Sequence, residues 1–263
     1  GMYNESNSNP TVTDCTFTGN TGSNGGGMGN RDGCNPTVTN CTFTGNAATL
    51  GGGIYSGSDC NTSLSGCTIT SNSASIGGGM YNYNSSATLT NCTITNNTAI
   101  YFLDTDSGRG GGLHNIDSQI DLFNCEITDN VAEQWGGGIC NDVSIVDLDT
   151  CFISGNSAAF PGGGMYNGAS VAWISNSSFC LNDPDHIYGS WVDIVGNTFD
   201  VDCDDDPLFC IADINFDYNV DVLDLLYVIA VWETDNPAGD INEDGWVDVN
   251  DLLEIIAGWG ACP

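Results

Sequence analysis

Gly25-Gly26-Gly27-Met28, followed by Val38, Asn40-Cys41-Thr42-Phe43 and Asn46, is one copy of a unit that recurs through most of the chain. Glycine triplets open further copies at Gly51, Gly77, Gly110, Gly136 and Gly162. Their spacing is constant except between Gly77 and Gly110, where extra residues are inserted. A fixed period of this size marks a repeat architecture, because one copy cannot bury its own apolar face and copies must stack. Gly1-Met2-Tyr3-Asn4 reads as the tail of another copy, so we expect the numbering to open inside a coil, at a processing site or a fragment edge.

Aligning the copies produces four apolar columns. They are Met2, Met28, Ile54, Met80, Leu113, Ile139, Met165; Val12, Val38, Leu64, Leu89, Leu122, Leu148, Ile174; Cys15, Cys41, Cys67, Cys92, Cys125, Cys151, Ser177; and Phe17, Phe43, Ile69, Ile94, Ile127, Ile153, Phe179. In Thr42-Phe43-Thr44 the threonines flank an inward phenylalanine, the period-two signature of a strand. Two further columns are asparagine: Asn20, Asn46, Asn72, Asn97, Asn130, Asn156, Asn182, and Asn4, Asn30, Ser56, Asn82, Asn115, Asn141, Asn167. At the strand spacing of about 4.8 Å, stacked amides can hydrogen-bond into a continuous ladder. These patterns predict a mainly β fold: a parallel β-helix of about seven 26-residue coils over residues 1–199.

The Gly-Gly-Met and Phe43-Thr44-Gly45-Asn46 motifs resemble those of right-handed parallel β-helix proteins, in particular the polymorphic outer-membrane-protein repeats of bacterial surface and secreted proteins. That resemblance implies an architecture and says little about activity.

Charge narrows the function classes. Arg31 and Arg109 are the only Lys or Arg residues against 34 acids, a formal charge of −32. Nothing could neutralise phosphates or carboxylates, which argues against nucleic acid, anionic lipid or a polyacidic substrate as partners. The balance suits a secreted protein in a calcium-rich medium. No apolar run is long enough for a transmembrane helix, so no membrane insertion is expected. Cysteines outside the repeat column (Cys34, Cys60, Cys140, Cys180, Cys203, Cys210 and Cys262) point to disulfides and an oxidising, extracellular compartment. Cys34–Cys60, Cys180–Cys203 and Cys210–Cys262 are the expected pairs. The column cysteines admit two readings, a metal-binding thiol ladder or small core hydrophobes, and the absence of an inward histidine favours the second.

Outward threonines form two columns through Thr16 and Thr18, Thr42 and Thr44, Thr68 and Thr70, and Thr93 and Thr95. This array resembles ice-binding faces, but it fails at Glu126 and Phe152, and β-propensity on a solvated face is the better account. Sequons at Asn40, Asn61, Asn84, Asn91, Asn96 and Asn176 raise a glycoprotein. The insertion over 100–109 holds Asp104, Asp106 and Arg109 near His114, and a polysaccharide lyase or hydrolase site would be sought there. One arginine in an acidic loop is thin support, and a tolerated surface insertion is the better explanation. Residues 176–200 leave the pattern, and their aromatic residues suit a cap. There Asp183-Pro184-Asp185-His186 reads as a capping turn rather than a metal or acid–base group.

An acidic linker, 200–209, leads to a different module over 210–263. It carries two copies of a twelve-residue loop, one beginning at Asp213 and one at Asp240. The first offers Asp213, Asn215, Asp217, Asn219 and Asp224, the second Asp240, Asn242, Asp244, Trp246 and Asp251. Oxygen donors at positions 1, 3, 5, 7 and 12 suit Ca²⁺, with Asn219 and Trp246 contributing backbone carbonyls. Two calcium ions are therefore expected. Asp221 and Asp248, at position 9, would act through water. Val220 and Val247 suit pairing of the loops across a short β contact, and apolar-periodic helices follow over 223–231 and 249–257. The tandem loops ending in Asp and the following helices resemble a dockerin, which implies a cohesin-like partner. Tyr218 stands where the loop glycine belongs, and Val222-Leu223 and Val249-Asn250 replace the usual Ser-Thr recognition pair.

The expected function is therefore structural: a secreted, non-catalytic β-helix rod with a calcium-dependent docking module, assembling with a cohesin-like protein or head-to-tail with copies of itself into a fibre. The alternatives are a dockerin-borne lyase or hydrolase, and a glycan- or ice-binding β-helix for which carbohydrate is a possible ligand.

Overall fold

The computed structural model describes residues 1–101, 107–200 and, further on, 219–220, 225, 228–229, 231, 247, 249 and 260–261. The chain divides into two compact units, Gly1–Cys203 and Asp204–Pro263.

The first unit is a parallel β-solenoid of about seven turns. Its opening coil contributes the strands Met2–Asn4, Thr11–Thr13, Thr16–Thr18 and Thr21–Asn24, and each stacks on its equivalent in the next coil. The first two series merge into one fourteen-stranded sheet, because Met165–Ser175 runs through both. The third forms an eight-stranded sheet and the fourth a six-stranded one. Strands are short because left-handed residues end them at fixed places. One such corner, just before the cysteine column, holds Asp14, Asn40, Gly66, Asn91 and Asn124, with φ from 51° to 61°. Asn, Asp and Gly tolerate this conformation, which is why they mark the period.

The four columns point inward and, apart from the exposed Cys15 of the first coil and the polar Ser177, form one core cluster with Met2 and Phe17 packed against it. Met28, Ile54, Met80, Leu113, Ile139 and Met165 are fully buried, as are Phe43, Ile69, Ile94, Ile127, Ile153 and Phe179. Each such side chain contributes about 1.5–3 kcal/mol by leaving water, and only stacking makes that burial possible. The glycine triplet is steric in origin: a Cβ on Gly111 would sit 2.5 Å from the Gly137 carbonyl oxygen of the next coil.

Both asparagine columns form ladders. In the first, each Nδ2 donates to the next coil's Oδ1, as from Asn72 to Asn97 and Asn97 to Asn130 at 3.0 Å. The same Nδ2 also reaches a backbone carbonyl, that of Ile69 for Asn97 at 2.9 Å. The second ladder runs Asn82, Asn115, Asn141, Asn167 at 2.8 Å per step.

The column cysteines Cys41, Cys67, Cys92, Cys125 and Cys151 are free and buried. Their thiols donate to main-chain carbonyls, for example Cys125 to Leu89 and Cys151 to Leu122 at 3.4 Å. The Cys92 thiol is pushed up to about 11, first by its hydrogen bond with Cys125 and also by burial. They act as small core groups. The expected Cys34–Cys60 disulfide does not form. Both are free, buried and stacked in register, with Cys34 N–H donating to Cys60 Sγ at 3.2 Å and Cys34 Sγ to Arg31 O at 3.0 Å. They occupy a column that continues as Ser85, Ser118, Ser144 and Ser170, where each backbone N–H meets the next Oγ. Parallel side chains in a ladder do not turn toward one another as a disulfide requires. Cys180 is disulfide-bonded; Cys203, Cys210 and Cys262 lie outside the described residues.

Residues 176–200 continue the coil rather than crossing its end. Ile187–Val195 pairs with Met165–Ser175 and Thr198–Asp200 with Ser178–Cys180. Phe199 stacks on Phe179 at 5.3 Å and extends the core column. The Asp185 carboxylate accepts from Gly162 N–H and, at 3.2 Å, from Gly163 N–H, so this segment is a closing turn.

In the second unit Asn219–Val220 pairs antiparallel with Gly260–Ala261. Val220 lies opposite Gly260; the expected contact between Val220 and Val247 rests on neighbours of Val247 that lie outside the described residues. Val247 and Val228 are buried. Leu225, Val228, Ile229 and Val249 are helical; the rest of the helices expected over 223–231 and 249–257 lies outside the described residues, apart from a turn at Val231.

Candidate functional site

Of the oxygen donors in the tandem loops, Asn219 is described and lies in the strand paired with Gly260–Ala261. Asp213, Asn215, Asp217, Asp224, Asp240, Asn242, Asp244, Trp246 and Asp251 lie outside the described residues. The donor set itself, carboxylates and amide oxygens with one carbonyl per loop, fits a hard cation of high coordination number.

A second polar constellation stands on the rod. Between the inward apolar residue and the inward asparagine, each coil presents one side chain away from the core. In register these are Tyr55, Tyr81, His114, Cys140 and Tyr166. Tyr55 stacks on Tyr81 at 5.7 Å, and Tyr81 meets the edge of His114 at 5.5 Å. Although outward, His114 is 1% exposed and Cys140 fully buried.

The insertion returns to register at Arg109, which bridges to Ile76 and places its carbonyl on Gly77 N–H. Its guanidinium lies 4.5 Å over the Trp135 ring. Arg109 Nη1 and His114 Nε2 converge on Asp142 Oδ2, at 3.3 and 3.1 Å. Burial pushes the Asp142 carboxyl up, but the His114 hydrogen bond and the charges of His114 and Arg109 outweigh it and hold it below the ordinary carboxylate value. One ring nitrogen of His114, the Cys140 sulfur and one Asp142 oxygen lie within 4.8 Å of one another.

Sequence reasoning singled out Arg109 and His114, and the fold brings both to one carboxylate. It missed Asp142, Cys140 and Trp135. The signal was the period itself: Cys140 follows His114, and Trp135 follows Arg109, by one step of the repeat. Asp104 and Asp106 lie outside the described residues. As a base for attack on a polysaccharide, this group is poorly placed, since His114 is buried and Arg109 is held on Asp142 and Trp135.

The threonine columns are in register across four coils, and Glu126 and then Phe152 replace the first column beyond Thr93. Asn40, Asn61, Asn84, Asn91, Asn96 and Asn176 are exposed, whereas Asn4, in the further sequon Asn4-Glu5-Ser6, is buried.

Residues 1–119 match the family described as "Right handed beta helix region". The rod is thus a right-handed parallel β-helix repeat, and its register continues past the matched residues through Cys180. Among solved structures the chain is similar to trypsin-treated QnrB1, a plasmid-mediated fluoroquinolone resistance protein. The identity is 15%, over 76% of this chain and 92% of that one, with a TM-score of 0.18, and nothing about function follows from it. No curated protein matches the chain.

Proposed function

We propose that the chain is a non-catalytic structural rod with a C-terminal, calcium-dependent docking module that ties it to an extracellular partner. The observation that carries this reading is the tandem pair of oxygen-donor loops, Asp213 to Asp224 and Asp240 to Asp251. With these acids unneutralised the module repels itself, so calcium binding and its folding are coupled.

The partner is a cohesin-like protein or another copy of this chain. Self-assembly is favoured by the strand Ile187–Val195, which pairs with Met165–Ser175 alone among the described residues. Trp191, Val192, Ile194 and Val195 on it are exposed. An exposed apolar edge is a template for another strand, and a contact that does not close on itself builds a filament. A dockerin-borne lyase or hydrolase is the lesser reading, because Arg109 and His114 are already engaged. A glycan- or ice-binding face rests on the threonine columns alone. Extracellular placement is supported by the loops and the acidity. Disulfides support it little, given the free cysteines of the rod.

Calorimetric titration of the calcium-stripped chain tests the module: two ions per chain are expected, falling to one in Asp213→Ala. No calcium uptake would refute the reading. Electron microscopy in calcium separates fibres from dispersed chains.

A further inference from the structure

We propose that His114, Cys140 and Asp142 form a binding site for a thiophilic divalent cation, with Zn²⁺ the best fit. This goes beyond the calcium loops and is independent of them: it lies on the rod, in the first unit, and has a different donor chemistry.

The argument begins with the donors. A thiolate, an imidazole and a carboxylate together select zinc-like ions over calcium or magnesium, which take oxygen donors. The three come from adjacent, hydrogen-bonded coils: His114 pairs with Cys140 across the ladder, and Asp142 follows Cys140 by two positions on the same strand. Their positions are therefore set by sheet register rather than by loop conformation.

Geometry agrees. Zinc with bond lengths of about 2.0–2.3 Å places its tetrahedral ligands about 3.3–3.6 Å apart. The His114 Nε2 to Asp142 Oδ2 separation is 3.1 Å, and a set with the Cys140 sulfur fits within 4.8 Å. Small side-chain rotations close the remainder. His114 and Cys140 are buried while Asp142 is 24% exposed, so the ion would be approached from the carboxylate side.

Arg109 lies beyond the donors, holding Asp142 by Nη1 while its charge rests on Trp135. An outer hydrogen bond of this kind orients a ligating carboxylate. The strongly acidic chain supplies the field that draws cations to it.

The test uses the full chain under reducing conditions, stripped with EDTA and then refilled with excess Ca²⁺ so that the oxygen-donor loops are occupied. Co²⁺ is added and the thiolate-to-cobalt charge-transfer absorption followed, with Zn²⁺ as competitor. One Co²⁺ per chain, displaced by one equivalent of Zn²⁺, is expected. Cys140→Ser, which changes one atom, and His114→Tyr, which repeats the neighbouring residue of the column, should each weaken binding by at least about 100-fold. Cys92→Ala, which removes a core thiol, should leave the band intact. Absence of the band in the parent chain overturns the site whether or not a variant folds. A band of unchanged intensity in Cys140→Ser does so too. Calcium titration reads the docking module separately, so either idea can fail without the other.

Discussion

The Asn82 side-chain carbonyl is buried one coil above Ser56, and no donor reaches it among the described residues. Everywhere else along this column an asparagine amide occupies the coil below. At Ser56 the hydroxyl turns instead to Thr62, 2.6 Å away, and Asn30 Nδ2 reaches only Thr62 Oγ1, at 3.5 Å. The ladder is broken at one rung.

Repairing that rung should stabilise the rod. Ser56→Asn combined with Thr62→Ala supplies the missing amide and clears its space, since Ala87 already sits in register with Thr62. A gain of about 1–2 kcal/mol is expected, the cost of one buried, unsatisfied acceptor. A rise in the urea midpoint at constant slope measures it; an unchanged or lower midpoint contradicts the ladder account.

Breaking the intact ladder should have the opposite sign. Asn97 accepts from Asn72 N–H and Nδ2 and donates to Ile69 O and Asn130 Oδ1. Asn97→Ala removes the side-chain partner of Asn72 N–H and of Ile69 O on the preceding coil, while Asn130 Oδ1 keeps the Asn97 N–H, at a cost of about 3 kcal/mol. Denaturation in urea reads this directly, and a loss below about 1 kcal/mol would show that water or relaxation replaces the amide.

Val143 is the β-branched residue at a corner with φ 53° that Asn84, Asp117 and Ala169 occupy in other coils. Left-handed backbone costs an ordinary residue about 1–2 kcal/mol, and Val143 is 61% exposed, so little packing is at stake. Val143→Gly should therefore raise stability by about 1 kcal/mol. A destabilised variant would mean that the side chain is packed against something.

Asp121 and Asp147 lie directly opposite on neighbouring coils. Burial, and then the Asp121 charge, push the Asp147 carboxyl up. A raised acid contributes most stability below the unfolded carboxyl value, about 3.9, and loses it as pH rises through the folded value. Asp147→Asn should thus stabilise the rod at pH 7, by about 0.5 kcal/mol for relief of opposed like charges. The gain should vanish below about pH 4. Equal stability of the two chains at pH 7 would contradict it.

Most of the solenoid was legible in the sequence because its determinants are local and periodic. Gly51, Asn46, Cys41 and Phe43 each recur at one step, and each column maps onto one ladder. The Cys34–Cys60 pairing was misjudged because an irregular stretch looked like a loop, whereas its column becomes visible only when Ser85 and Ser118 are aligned with it. The continuation of the coil through Phe199 was hidden by a shortened step. The polar site was half visible: Arg109 and His114 drew attention as rare residues. Asp142, one acid among many, gains meaning only once register places it beside them.

Differential scanning calorimetry of the full chain, with calcium and with EDTA, tests the central claim most directly. Two transitions are expected, one for each unit. Calcium at about 100 times its dissociation constant should stabilise the smaller by about 2.7 kcal/mol per site and leave the larger, that of the β-helix, in place. If neither transition responds to calcium, the chain has no calcium-dependent docking module.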